Sequence, residues 1–281
     1  MEAVGLGVGI AGLAGVFTAC IDCFDYVQLG RQFGQDFGKC LLKLDTAKLR
    51  MSRWGVAVGL GPGPHLMPQI SVSDEERRLA NSLLEQILES FEDAERISER
   101  FKKHTLMQNT NSNELLVCDA TSDLDSNFQH LHLTMRELAH KRQKGTSIRR
   151  KTVWALYEKK RFEGMIDDVT TFINRLVDLF PATQDDQRAL CTTEVSAINE
   201  SRDLALLNNV AREDDQMFSA EITKELEKRG QNVTDWKADG NSKMWIGDKN
   251  AFGVSSMGHN AAKFTISDHA DIHIGNVNQG K

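Results

Sequence analysis

Two stretches near the C-terminal end of this 281-residue chain are copies of one another, displaced by 28 positions. Gly230-Gln231-Asn232 matches Gly258-His259-Asn260, and Trp236 matches Phe264. Met244-Trp245-Ile246-Gly247-Asp248 matches Ile272-His273-Ile274-Gly275-Asn276, and Asn250 matches Asn278. The copies occupy residues 230–250 and 258–278, with a turn-rich linker from Ala251 to Met257 between them. Inside each copy the apolar residues alternate: Trp236 and Ala238, then Met244 and Ile246; Phe264 and Ile266, then Ile272 and Ile274. A period of two is that of a strand with one face turned inward. Gly240, Gly247, Asp268 and Gly275 fall where such a path must turn. A unit this short cannot bury its inner face alone and needs a neighbour above and below. Two copies still leave open strand edges at both ends. The repeat therefore predicts two rungs of a β-solenoid that stack on rungs from other chains.

The polar positions fit the same stack. Asn232 over Asn260 can form an amide ladder. Asp235 falls over Lys263 and Lys243 over Asp271, so the sign of charge is exchanged between the copies. Like charges at the strand spacing of about 4.8 Å would repel, whereas exchanged signs attract all along the stack. From Ser219 to Lys281 there are eight basic and eight acidic residues, so the net charge of -6 lies upstream. A segment with no net charge does not repel its own copies. A small folded β-appendage or a disordered tail are the alternatives, but neither calls for charge exchange between repeats.

Residues 1 to about 229 read as helical. Phe33, Phe37, Leu41, Leu44, Ala47 and Met51 recur at steps of three and four, as do Ala80, Leu84, Ile87, Phe91, Ala94, Ile97 and Phe101. Leu124, Phe128, Leu131, Met135 and Leu138 form a third stripe, and Met165, Val169, Phe172, Leu176 and Phe180 a fourth. Ser73 with Glu76 is a capping box ahead of the second stripe. Gly61-Pro62-Gly63-Pro64 with Pro68 reads as a loop, and Pro181 ends a helix. Each stripe must bury against another, which predicts a bundle of six to eight helices.

The chain opens with a run free of charge from Ala3 to Ile21, rich in Gly5, Gly7, Gly9, Gly12 and Gly15. As a helix, such a run roughly spans the ~30 Å hydrocarbon core of a bilayer. Gly5-xxx-Gly9, Gly7-xxx-Ala11 and Ala11-xxx-Gly15 are spacings for close helix packing in lipid. Each glycine also weakens a helix in water by about 1 kcal/mol relative to Ala, so the segment would be loosely held. A buried helix of a soluble bundle is the other reading, and the two are compatible as two states of one segment. There is no basic stretch ahead of the run, so it is a poor signal peptide, and Glu2 excludes myristoylation.

Other motifs carry less. Gly7-Val8-Gly9-Ile10-Ala11-Gly12 fits a dinucleotide fingerprint in form only, with no strand before it and no βαβ pattern after it. Cys20 and Cys23 have no second pair for zinc and read as two thiols on a helix. The five cysteines suit a reducing compartment. His130, His132 and His140 are poorly spaced for one metal and read as surface histidines. Lys141, Arg142, Lys144, Arg149, Arg150 and Lys151 form a basic run without an intervening acid. It reads as a solvated loop between helices, or as a patch attracted to anionic lipid. The overall acidity argues against nucleic acid as a partner. No Walker A, G-x-S-x-G or H-E-x-x-H pattern occurs, so neither an enzyme nor a cofactor or metal is expected.

These features together resemble the fungal HET-s/HET-S heterokaryon-incompatibility family. The tail is similar to its prion-forming domain, through rungs that begin at Asn and end in apolar-x-Ile-Gly, with opposed charges. Upstream, Cys20-Ile21-Asp22-Cys23-Phe24-Asp25-Tyr26-Val27-Gln28-Leu29-Gly30-Arg31, Leu44-Asp45-Thr46-Ala47-Lys48, Ser52-Arg53-Trp54-Gly55 and Lys151-Thr152-Val153-Trp154-Ala155-Leu156-Tyr157 resemble its HeLo domain. The resemblance implies an all-α HeLo-like domain over residues 1–220. It implies a prion-forming domain over 221–281 that is disordered in the soluble monomer and forms an amyloid β-solenoid. It further implies a programmed-cell-death protein: amyloid templating of the tail disturbs the helical domain, whose N-terminal segment then permeabilises membranes. The implied partners are further copies of the chain, including a dimer of the helical domain, matching prion-domain proteins or an NLR-type receptor, and membrane lipids. The implied location is cytoplasmic when soluble and the cell membrane when activated. A non-toxic prion or signalling adaptor is the alternative. Gln32 lies where toxic and inactive forms of the family differ.

Overall fold

Ser73 accepts a hydrogen bond from the backbone of Glu76, whose carboxylate accepts in turn from the backbone of Ser73, closing the expected capping box. From it runs the longest helix of the computed structural model. The structure describes residues 12–61, 72–108, 115–143 and 153–229, and the backbone of four short strands beyond them. Among the described residues there are eight α-helices: α1 (Ala14–Tyr26), α2 (Phe37–Ala57), α3 (Asp74–Met107), α4 (Ser126–Lys141), α5 (Lys159–Leu179), α6 (Gln184–Ser196), α7 (Ser201–Asp214) and α8 (Gln216–Lys228). The fold is the all-α bundle that the stripes predict. Pro181 opens a 3-10 turn that separates α5 from α6.

The central element is α2, buried along most of its length. One side of it gives Leu41, Leu44, Met51 and Trp54 to an apolar cluster shared with α1, α3 and α5. The other side gives Leu42 and Leu49 to a second cluster shared with α4, α6, α7 and α8. Ala80, Leu84, Ile87, Phe91 and Ala94 of α3 are buried in the first cluster, at the spacing that a helix facing one neighbour requires. Burying a large aliphatic or aromatic side chain contributes about 1.5–3 kcal/mol, so each stripe is enough to hold its helix in the bundle.

The helical reading of residues 1–229 needs one correction. Val27–Leu29 forms a strand, β1, that pairs in parallel with Trp154–Leu156, β2, and Gly30 bridges to Val117 on the other side. Neither strand is long enough to display the alternation by which a strand is recognised. α8 crosses the expected domain boundary at 220/221 and keeps Phe218 and Ile222 in the second cluster.

Candidate functional site

Beyond α8 lie β3 (Trp236–Ala238), β4 (Lys243–Ile246), β5 (Phe264–Ile266) and β6 (Asp271–Ile274). β3 pairs in parallel with β5, Trp236 opposite Phe264 and Ala238 opposite Ile266. β4 pairs in parallel with β6, with Lys243 opposite Asp271, Met244 opposite Ile272, Trp245 opposite His273 and Ile246 opposite Ile274. Every partner stands 28 positions from its mate, the displacement of the sequence repeat. Each pair has two strands, so among the described residues each strand keeps one edge without a backbone partner. Asn232, Asp235, Gly247, Asn260, Lys263 and Gly275 lie outside the described residues.

The N-terminal run is divided. Gly5, Gly7 and Gly9 lie outside the described residues. Gly12 lies in an exposed turn, and α1 begins two residues on. Leu13, Phe17, Cys20, Ile21 and Phe24 are core residues. Phe17 lies 5.9 Å from the Trp54 ring, centroid to centroid, and Phe24 meets Phe91 edge-on at 4.9 Å. Trp54 is itself fixed by donating from Nε1 to the Leu176 carbonyl at 3.0 Å. Gly15 stands on the outer face of α1, with no atom within 4 Å of where a Cβ would be. Among the described residues no helix is long and apolar enough to cross a membrane.

A buried charge network, invisible in the sequence, ties α8 to the middle of the bundle. Arg53 on α2 reaches Glu194 on α6 at 2.6 Å and Asp215 at the start of α8 at 2.9 Å, and its guanidinium lies over the Phe218 ring. All three charged groups are almost wholly buried. Burial opposes the charge on Arg53, but Asp215 and Glu194 outweigh it and hold the guanidinium well above its ordinary range. Arg142 also reaches Glu194, and Arg50 reaches Asp215 and the Asp214 carbonyl. Asp215 caps α8 by accepting from the Phe218 amide. At the other end of α8, Arg229 donates to the carbonyls of Ile198 and Asn199 at 3.0 and 2.6 Å. Among the described residues the last helix before the tail strands is thus pinned at both ends by arginines.

The remaining motifs are structural. Cys20 donates from Sγ to the Leu84 carbonyl at 3.2 Å, and none of the five cysteines is in a disulfide. His132 is not a surface residue: it is buried on α4, with Nδ1 2.6 Å from Asp45. Burial pushes the Asp45 carboxyl up, and the His132 hydrogen bond opposes the shift. His130 pairs with Asp203 at 3.1 Å. Lys48 and Arg136 converge on Asp25. Arg142 is not solvated either, since it joins the buried network; Lys141 pairs with Glu137, and residues 144–151 of the basic run lie outside the described residues.

The HeLo family model, described as prion-inhibition and propagation, matches residues 5–207. Heterokaryon incompatibility protein s of Podospora anserina is 36% identical over 210 residues, covering 75% of this chain and 70% of its own. Heterokaryon incompatibility protein S of the same species is 36% identical over 203 residues, covering 72% and 68%. The solved structure of the HET-S N-terminal domain aligns at a TM-score of 0.69 and 33% identity, covering 77% of this chain and 94% of that one. A double mutant of the HET-s N-terminal domain aligns at 0.68 and 34%, covering 76% and 98%. The family match ends ahead of α8 and of all four tail strands.

Proposed function

The chain belongs to the HeLo family, and from that premise we propose that it is a heterokaryon-incompatibility protein that kills the cell when its tail assembles. The observation that carries the reading is the parallel pairing of β3 with β5 and β4 with β6, at the displacement of the repeat, behind a bundle of this family. Among the described residues each paired unit has open edges above and below, and a matching rung from another chain satisfies the backbone groups along them. Copies then add without limit, as a head-to-tail contact that does not close requires. The template is a further copy of the chain, a protein with a matching prion domain, or an NLR-type receptor with such a motif.

Assembly of the tail strains α8, whose last residue, Lys228, lies eight positions ahead of Trp236. Loss of α8 exposes the buried Arg53, Glu194 and Asp215 and loosens the bundle. The uncharged N-terminal segment then leaves its place on α2 and enters the membrane. The protein is cytoplasmic before this step and at the cell membrane after it.

Gly15→Glu separates membrane entry from a purely structural role. The side chain at 15 has open space in the bundle, so the soluble fold tolerates it. In a bilayer a charge inside the segment costs about 2.5–3.5 kcal/mol. The variant should keep its thermal unfolding transition and its fibril growth, and lose dye release from liposomes and killing in cells expressing the seeded full chain. Undiminished dye release would show that the segment acts only as core.

A further inference from the structure

The register of the tail strands places a titratable group where the charge exchange does not account for it. Successive strand residues alternate between faces. Lys243 and Trp245 therefore share one face of β4, and Asp271 and His273 the matching face of β6. Trp245 stands opposite His273 as Lys243 stands opposite Asp271. In the other pair the corresponding alternate position holds Lys237 opposite Thr265. One edge of the two-stranded unit thus offers a base and an indole, and the other edge an acid and an imidazole. The two edges are complementary, so the occupant of each is the opposite edge of a second copy, added head to tail. In that arrangement His273 stands at the register position of two indoles, that of its own chain and that of the next, each one strand spacing of about 4.8 Å away.

We propose that the Trp245–His273 row makes growth of the tail assembly stronger in acid. The inference rests on the reading that copies stack through their tails. An imidazole ordinarily titrates near pH 6.5, inside the range that cells and their compartments cover. Once charged, it is attracted by the face of an indole. Lys243 and Asp271 are the charged residues that β4 and β6 place on the same face. Asp271 lies two residues along the same strand, and the Lys243 of its own chain and of the next each lie farther off on a diagonal, so the nearer acid and the two bases offset one another and the indoles decide the sign. The stack favours the charged imidazole, so it binds a proton more tightly than the free chain does. Its added stability is therefore full below about pH 6.5, the value of the free chain, and is lost as the pH rises from there through the higher value that the stack confers.

The test uses the full-length chain seeded with its own fibrils, with the concentration left in solution at completion measured at pH 8 and pH 5.5. Two cation–indole contacts per copy should lower that concentration by about three- to tenfold in acid. His273→Gln and Trp245→Leu should each remove most of this difference, while His259→Gln and His269→Gln keep it. The same controls account for any effect of acid on the histidines of the helical bundle. A His273→Gln chain that retains the full pH dependence overturns the proposal while leaving stacking intact. Absence of seeded growth at every pH overturns the stacking reading, and the proposal with it.

Discussion

Phe17 of α1 lies so close over Gly55 of α2 that a Cβ at position 55 would fall 2.1 Å from the ring's Cζ. The approach is what lets α1 settle against Trp54, and only a residue without a side chain permits it. Gly55→Ala forces the ring out of its place and should destabilise the bundle by about 1–3 kcal/mol, as overpacking does. Phe17→Ala should cost about 3–5 kcal/mol through the cavity that it leaves. The two positions share one space, so the double variant should cost clearly less than the sum. Urea unfolding of the four proteins checks this, and strict additivity would mean that the ring and the glycine are independent.

Arg53 gives a second and larger effect. Arg53→Met leaves Glu194 and Asp215 buried without their guanidinium. Removing one partner of a buried ion group costs about 3–5 kcal/mol, because the opposite charge stays behind unpaired. The variant should lose protection of α8 amides in hydrogen exchange before the rest of the bundle, since Asp215 caps that helix. A loss below about 1 kcal/mol would place the network in the class of solvated pairs.

Whether a feature could be seen in the sequence depended on how locally it is encoded. The stripe Ala80, Leu84, Ile87, Phe91 repeats within one helix, and the pair Ser73 and Glu76 within one turn, so both were legible. Arg53 meets Glu194 and Asp215 across 141 and 162 positions, and His132 meets Asp45 across 87. No pattern of neighbours announces such pairs, so His132 reads as a surface residue and Arg142 as part of a solvated run. β1 and β2 leave no such signature, because three residues are too few to show a period of two. The displacement of the tail repeat can be read from the sequence because the chain states it twice, once in each copy.

The cysteines make the bundle sensitive to alkali. Burial, ahead of the Asp36 and Glu163 carboxylates and against Lys159, pushes the Cys40 thiol up to about 11 from an ordinary 9.0. Burial raises Cys191 too. The folded state therefore holds a proton that the unfolded chain gives up. Stability from this source is full below pH 9 and is lost as the pH rises from about 9 toward 11. Thermal unfolding should occur at lower temperature over that interval, and Cys40→Ala, weaker at neutral pH, should lose less across it. At pH 8 a thiol reagent should modify the partly exposed Cys118 first and reach Cys40 and Cys191 only on unfolding. Prompt reaction of Cys40 in the folded protein would contradict its burial.

The charge register of the tail gives the most specific expectation. Lys243 stands opposite Asp271 within the chain, and in a head-to-tail stack it also meets Asp271 of the next copy. Lys243→Asp turns the row into a continuous acidic column. An exposed ion pair is worth only about 0.2–1 kcal/mol, but the change replaces attraction by repulsion on both sides of every added chain. Seeded growth should slow, and the concentration left in solution should rise by about tenfold, since 1.4 kcal/mol is a factor of ten. In 1 M salt the effect should shrink, because screening then acts within about 3 Å. Asp271→Lys alone should fail in the same way with a basic column. The double variant, Lys243→Asp with Asp271→Lys, restores alternation and should recover growth to near the unmodified rate. A tail assembled in another register has no reason to be rescued by that exchange. Thioflavin kinetics of the double variant as slow as those of the worse single variant would therefore rule out the pairing of these two positions in the fibre.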